Sequence, residues 1–239
     1  MPNIDFLIVA GLAVVVGTIV QSGVGLGLGL VATPIVTLAD PSLMPGSVLV
    51  TTSLLPLLTL TRDLRFADWQ GLSWALSGRV VGTPLGVWAV AVLSKRFIGI
   101  SVALMVLLAI GLTARSPRFT ANRTTLLTAG LIGGATGTAT SIGGPPLALL
   151  YQRESGSRVR ATLGVFFSAG AVLSLGTLAV VGELPQRQVT AGLALVPFLF
   201  VGFALSNPLR RFLDRGRMRT AILVVASASA LILLVRSLA

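Results

Sequence analysis

The chain has no cysteine and no histidine, one tyrosine, and seven acidic residues in 239. Without thiols or imidazoles there are no disulfides and no thiolate or imidazole metal sites, and no catalysis that needs a histidine base. No metal and no cofactor is expected. The acids (Asp5, Asp40, Asp63, Asp68, Glu154, Glu183 and Asp214) all stand at the ends of apolar segments or between them. An intramembrane proton relay through a carboxylate is therefore disfavoured, and with it a cation pump, which leaves an anion path. No stretch is polar and long enough for a soluble domain. The opening MPNIDF lacks the basic start of a cleaved signal peptide, so the first apolar run is expected to stay in place.

What the sequence does contain is apolar. Hydrophobic residues make up 54%, charged residues only 10%, and the mean hydropathy is +0.94. Soluble domains carry about 25% charged residues, so residues 1–239 read as a single transmembrane domain and an all-α polytopic membrane protein. The formal charge of +11 sits largely in arginines of the short loops. There it faces anionic headgroups, and no nucleic-acid motif accompanies it. The expected partners are a small anionic substrate and a bilayer with anionic lipids at its inner face; oligomeric state is not readable.

Two stretches break the apolar pattern. GGATGTATSIGGPP covers Gly133–Pro146, and a looser twin, GTIVQSGVGLGLGLVATP, covers Gly17–Pro34. Glycine costs about 1 kcal/mol against alanine in a helix interior, and Pro145 and Pro146 remove two backbone donors. Broken backbone survives at membrane depth only where protein or a polar cavity covers it. One such break in each half is the mark of a transporter whose discontinuous helices meet near the midplane. The runs Phe6–Val20 and Gly25–Ala39 are short for spans, and Pro145–Tyr151 is far too short, which suits helical hairpins around the breaks.

Loop charge tests this expectation. If Thr124–Gln152 crosses once, the basic residues divide 7 against 10. If it enters and returns, 13 fall in the loops 62–65, 115–123, 153–160 and 210–219, against Lys95, Arg96, Arg187 and Arg236 on the other side. The positive-inside rule prefers the second division. Both termini are then outside the plasma membrane, and the halves (about 1–115 and 120–239) are inverted-topology repeats, each a Gly/Pro-broken hairpin plus about three spanning helices. Weak matches agree: Gly17-Thr18 with Gly137-Thr138, Val48 and Thr51 with Val159 and Thr162, and Leu93 and Lys95 with Leu209 and Arg211.

An anion site at membrane depth needs donors and positive potential, which helix N-termini supply. Pro145 and Pro146 suit the first turn of a new half-helix. Gly143 and Gly144 would expose backbone N–H groups, their lack of Cβ permitting a strained turn, while Thr138, Thr140 and Ser141 add hydroxyls. Gln21, Ser22 and Gly23 precede the first break. The competing reading is close helix packing, as Gly25 and Gly29 can provide. Thr51 and Thr52, with Thr162 as partner, either line a pathway or bond their own helix. Arg79, the one charge well inside an apolar run, either serves the anion or snorkels to the inner headgroups. GVGLGLGL is no nucleotide loop, for it has no strand before it and no Lys-Ser/Thr after it.

At these residues the chain resembles the sulfite exporter TauE/SafE family of bacterial membrane permeases. The resemblance rests on the Gly-rich segments running into proline, Gly23–Pro34 and Gly137–Pro146. It also rests on the stretches downstream of them, Ser47-Val-Leu-Val-Thr51-Thr52-Ser53 and Arg158-Val-Arg-Ala-Thr162. It implies export or uptake of small sulfur-containing or carboxylated anions, such as sulfite or organosulfonates. A passive channel for anions or small solutes is the alternative. An intramembrane hydrolase with Ser141 as nucleophile is disfavoured, because no histidine, buried lysine or buried acid is there to activate it.

Overall fold

The structure, a computed structural model, describes residues 3–115, 119–213 and 217–238, without the side chains of 59–63, 112–115 and 207–225. The basic residues and acids within 62–63, 115–118 and 210–219 thus lie outside the described side chains. Ten α-helices follow one another among the described residues: α1 (Ile4–Val24), α2 (Leu28–Ala39), α3 (Gly46–Asp63), α4 (Trp69–Val92), α5 (Lys95–Arg115), α6 (Arg123–Thr140), α7 (Pro145–Tyr151), α8 (Gly156–Val181), α9 (Gln186–Leu213) and α10 (Arg217–Leu238). Among the described residues, four stretches are long and apolar enough to cross a membrane: Ile4–Val24, Trp69–Val92, Gly156–Val181 and Gln186–Ser206.

Helix ends follow local chemistry. Asp68 caps α4 by accepting from the Gly71 N–H at 3.1 Å, and Asn122 with Thr125 forms a reciprocal capping box on α6. The first apolar run proves longer than expected. α1 continues through Gln21, Ser22 and Gly23 to 21 residues, enough to span, because its left-handed cap is Gly25 (φ 90°). The returning arms stay short. At 1.5 Å per residue α2 extends about 18 Å and α7 about 10 Å, so neither crosses.

Packing joins the two halves crosswise. α4 lies parallel to α6 along a glycine seam, with Gly78, Gly82 and Gly86 against the carbonyls of Leu127, Leu131 and Ala135, and Gly130 against that of Ala75. α1 lies parallel to α9 in the same way, Gly11 under Phe198 and Gly202 against Val15 and Thr18. α3 packs on α8, and α5 on α10. Three hydrophobic clusters result among the described residues, the smallest being Leu49, Val87 and Leu178 of α3, α4 and α8. Of the larger two, one draws on α1, α2, α3, α5, α9 and α10, and the other on α4, α6, α7 and α8.

The ends of the bundle differ in what they collect. At one end Arg187 pairs with Asp40 at 2.9 Å, and the Gly46 N–H donates to Gln188 Oε1 at 2.9 Å. Lys95, Arg96 and Arg236 stand around the end of α2 there as well. At the other end Arg123 lies over the Trp74 ring, and Arg158 and Tyr151 both reach Asp68. The start of α6 and the end of α7 therefore share one end of α4, as a hairpin requires.

Candidate functional site

Each break is closed by its own polar side chains. At the first, Gln21 Oε1 reaches forward from the last turn of α1 and accepts from the Leu28 N–H at 3.0 Å, taking up an open donor of α2. At the second, Thr140 Oγ1 donates to the Thr136 carbonyl at 2.7 Å and accepts from the Ile142 N–H at 3.3 Å. Pro145 and Pro146 occupy the first turn of α7, where a missing N–H costs least. The two breaks meet. A Cβ on Gly29 would stand 2.8 Å from the Ser141 carbonyl oxygen, and one on Gly144 would stand 2.5 Å from Leu26 Cδ1.

Between them lies a cavity of about 40 Å³. Gln21, Gly29, Thr52, Arg79, Ser141, Gly143 and Gly144 contribute to its lining, with apolar walls from Leu26, Leu49 and Phe167. Arg79 enters from α4 and is only 3% exposed. Its guanidinium carbon sits 4.5 Å from the centre of the Phe166 ring, a cation–π contact. Nε and Nη1 have no hydrogen-bond partner, and none of the ion pairs among the described residues includes Arg79. Arg79 therefore does not snorkel. The missing Cβ of Gly170 makes its room, since one there would fall inside the guanidinium, and a Cβ on Gly137 would stand 3.1 Å from Nη2. A buried cation without a counter-charge is costly, and the arrangement is suited to receiving an anion.

The remaining sequence candidates take structural posts. Thr51 Oγ1 donates to the Ser47 carbonyl at 2.8 Å and reaches the Gly192 carbonyl at 3.1 Å, so it faces α9 and not the cavity. Thr52 borders the cavity while donating to the Leu49 carbonyl at 3.2 Å. Thr138 shares a 2.7 Å hydrogen bond with Ser174 and so ties α6 to α8. Thr162 accepts from the Asp68 N–H at 3.1 Å, away from any pathway. Ser22 is buried and Gly23 half-buried in the last turn of α1, and neither is among the residues that line the cavity.

Three expectations about the breaks are corrected. Gly25 lies in the turn itself, so Gly25 and Gly29 do not form a helical packing motif. The left-handed residue of the second tip is Ser141 (φ 60°), whereas Gly144 has ordinary helical angles (φ −82°, ψ −35°). Gly143 and Gly144 are small to permit close approach, Gly143 against the Gly133 carbonyl and Gly144 against Phe167. Lastly, the Ser141 hydroxyl is already engaged, donating to the Pro45 carbonyl at 3.0 Å and pinning the tip to the start of α3.

Sequence reasoning missed Phe166 and Gly170, and the glycine repeat of α4. The spacing Gly78, Gly82, Gly86 was the available signal, for glycine every fourth residue marks a face made for close helix contact.

Away from the cavity, Asp68 joins α4, α7 and α8. Tyr151 Oη donates to it at 2.8 Å, and Arg158 Nη2 stands 3.3 Å away. Burial pushes the Asp68 carboxyl up. Donation from Gly71, Tyr151 and Arg158 outweighs that and holds it below the usual aspartate value.

Comparison with known proteins gives the family. The family model described as Sulfite exporter TauE/SafE matches residues 9–233. The chain is 26% identical over 175 residues to a protein of Comamonas testosteroni described as "Probable inner membrane transporter protein TsaS", covering 71% of this chain and 73% of that one. No solved structure matches.

Proposed function

Since the chain belongs to the sulfite exporter TauE/SafE family, which comprises membrane transporters and not enzymes, we propose that it carries a small anion across the inner membrane through the cavity around Arg79. The observation that carries this reading is the buried guanidinium, unpaired at Nε and Nη1, between the two breaks. Backbone of Gly143 and Gly144 and the polar edges of Gln21, Thr52 and Ser141 complete the candidate lining. Sulfite, organosulfonates and short carboxylates are the candidate substrates, all compact anions that match a forked donor. Desolvated inside the bundle, such an anion gains more from one fixed cation than it would in water.

The crosswise pairing of α1 with α9 and α4 with α6 supports two inverted repeats, about 1–115 and 120–239. The gathering of Lys95, Arg96, Arg187 and Arg236 at one end supports an orientation with that end, and both termini, outside. A cavity this small favours a carrier that opens to each side in turn over an open channel. Accumulation of substrate against its gradient in proteoliposomes separates the two, for a channel cannot do it.

The direct test is sulfite flux into proteoliposomes. Arg79→Ala abolishes uptake while the protein stays folded in the bilayer, and Arg79→Lys keeps part of it. Normal flux in well-folded Arg79→Ala overturns the assignment.

A further inference from the structure

A second group of cations, none of them lining the Arg79 cavity, borders a cleft of about 480 Å³ between the end of α2, the start of α5 and the end of α10. Lys95, Arg96 and Arg236 line it together with Leu38, Pro41 and Leu233, and no acid is among its lining residues. Asp40, next to Pro41, is paired with Arg187. Arg236 stands in the last turn of α10, where the helix dipole favours a cation, but the other two cations gain no such support. Lys95 and Arg96 occupy the first turn of α5, where the helix dipole opposes positive charge and the first N–H groups have no acceptor within the helix. Arg96 does reach across to the Leu238 carbonyl, joining α5 to α10, but a neutral carbonyl brings no counter-charge, and none of the ion pairs among the described residues includes Lys95, Arg96 or Arg236. Like charges gathered at a helix N-terminus are stabilised by a bound anion.

The surroundings indicate what kind of anion. The two helices that border the cleft, α5 and α10, carry exposed apolar side chains along their length, Phe97, Leu104 and Leu108 on one and Ile232 and Val235 on the other. A charged recess at helix ends above apolar flanks matches an amphipathic ligand with an anionic head. A free anion needs only the charges.

We infer that this cleft, at the end proposed to face outside, binds the phosphate of an anionic phospholipid of the outer leaflet, its acyl chains lying on the exposed faces of α5 and α10. The site is independent of the transport cavity, and its test does not use flux. The detergent-solubilised full chain is titrated with phosphatidylglycerol, phosphatidylcholine and inorganic phosphate, with binding read by native mass spectrometry and by Tm. The parent prefers phosphatidylglycerol to phosphatidylcholine, and inorganic phosphate at matched concentration does not compete. The preference falls about fivefold for each cation removed in Lys95→Gln and Lys95→Gln/Arg236→Gln, which leave the Arg96–Leu238 bond in place. Should the double variant not fold, the exposed Lys95→Gln change alone carries the test. An unchanged preference in a folded variant overturns the inference, as does absence of any preference in the parent. Equal binding of inorganic phosphate overturns it in favour of a soluble-anion site.

Discussion

At the scale of single residues, the position of Arg79 depends on an absence. Gly170 carries no Cβ, and the guanidinium occupies the space one would fill. Gly170→Ala should therefore displace the charge from the Phe166 face and abolish flux in the proteoliposome assay. Gly176→Ala is the control on the same helix. Nothing lies within 4 Å of its would-be Cβ, so it keeps flux and gains roughly 0.5–1 kcal/mol. Equal flux in the two alanine variants would show that the guanidinium position is irrelevant. Ser141 presents the opposite case, a side chain whose role is mechanical. Ser141→Ala loses the bond to the Pro45 carbonyl and should lower unfolding stability by about 1 kcal/mol, measured by thermal or denaturant melts.

At the scale of helices, two contacts carry testable weight. In the α4–α6 seam the obstacle to any added side chain is backbone carbonyl, which cannot rotate away. Gly130→Val should cost about 3 kcal/mol or more, read as loss of folded protein in detergent, whereas Gly111→Ala, with open space around it, should cost nothing. The Asp68 junction brings a pH dependence. Its folded-state pKa lies below the unfolded value, so its contribution is present above the ordinary aspartate range and fades as pH falls through it. Between about pH 5 and pH 3 the Tm of the parent should fall faster than that of Asp68→Asn; parallel curves would remove the junction from the account. The helices themselves were legible in the sequence, because apolar runs, the Gly/Pro breaks and loop arginines are strong local signals. The hairpin around Ser141 was legible too, through loop charge. Which polar groups faced the cavity was not. Thr51, Thr138 and Thr162 look in sequence like pathway residues, and only helix rotation shows that they bond to α9, α8 and the cap of α4. The role of Gly170 depends on a side chain ninety positions away and has no local signature.

At the scale of the whole molecule, orientation is testable with single cysteines, since the chain has none of its own. Ser94 and Ser155 are exposed and belong to the two opposite ends of the bundle. In whole cells an impermeant thiol reagent should label Ser94→Cys and spare Ser155→Cys; the reverse pattern would refute the orientation, and labelling of both would refute the inverted arrangement. The crosswise packing also has a consequence for how the protein is made. The ribosome delivers α1 early, yet its main neighbour, α9, begins only at Gln186. α4 likewise leaves the translocon before α6 exists to fill its glycine groove. For much of synthesis these helices wait in lipid with their narrow faces uncovered. A nascent chain halted before α9 therefore stays open to membrane proteases, and pulse-chase after timed arrest should show resistance arriving late and abruptly.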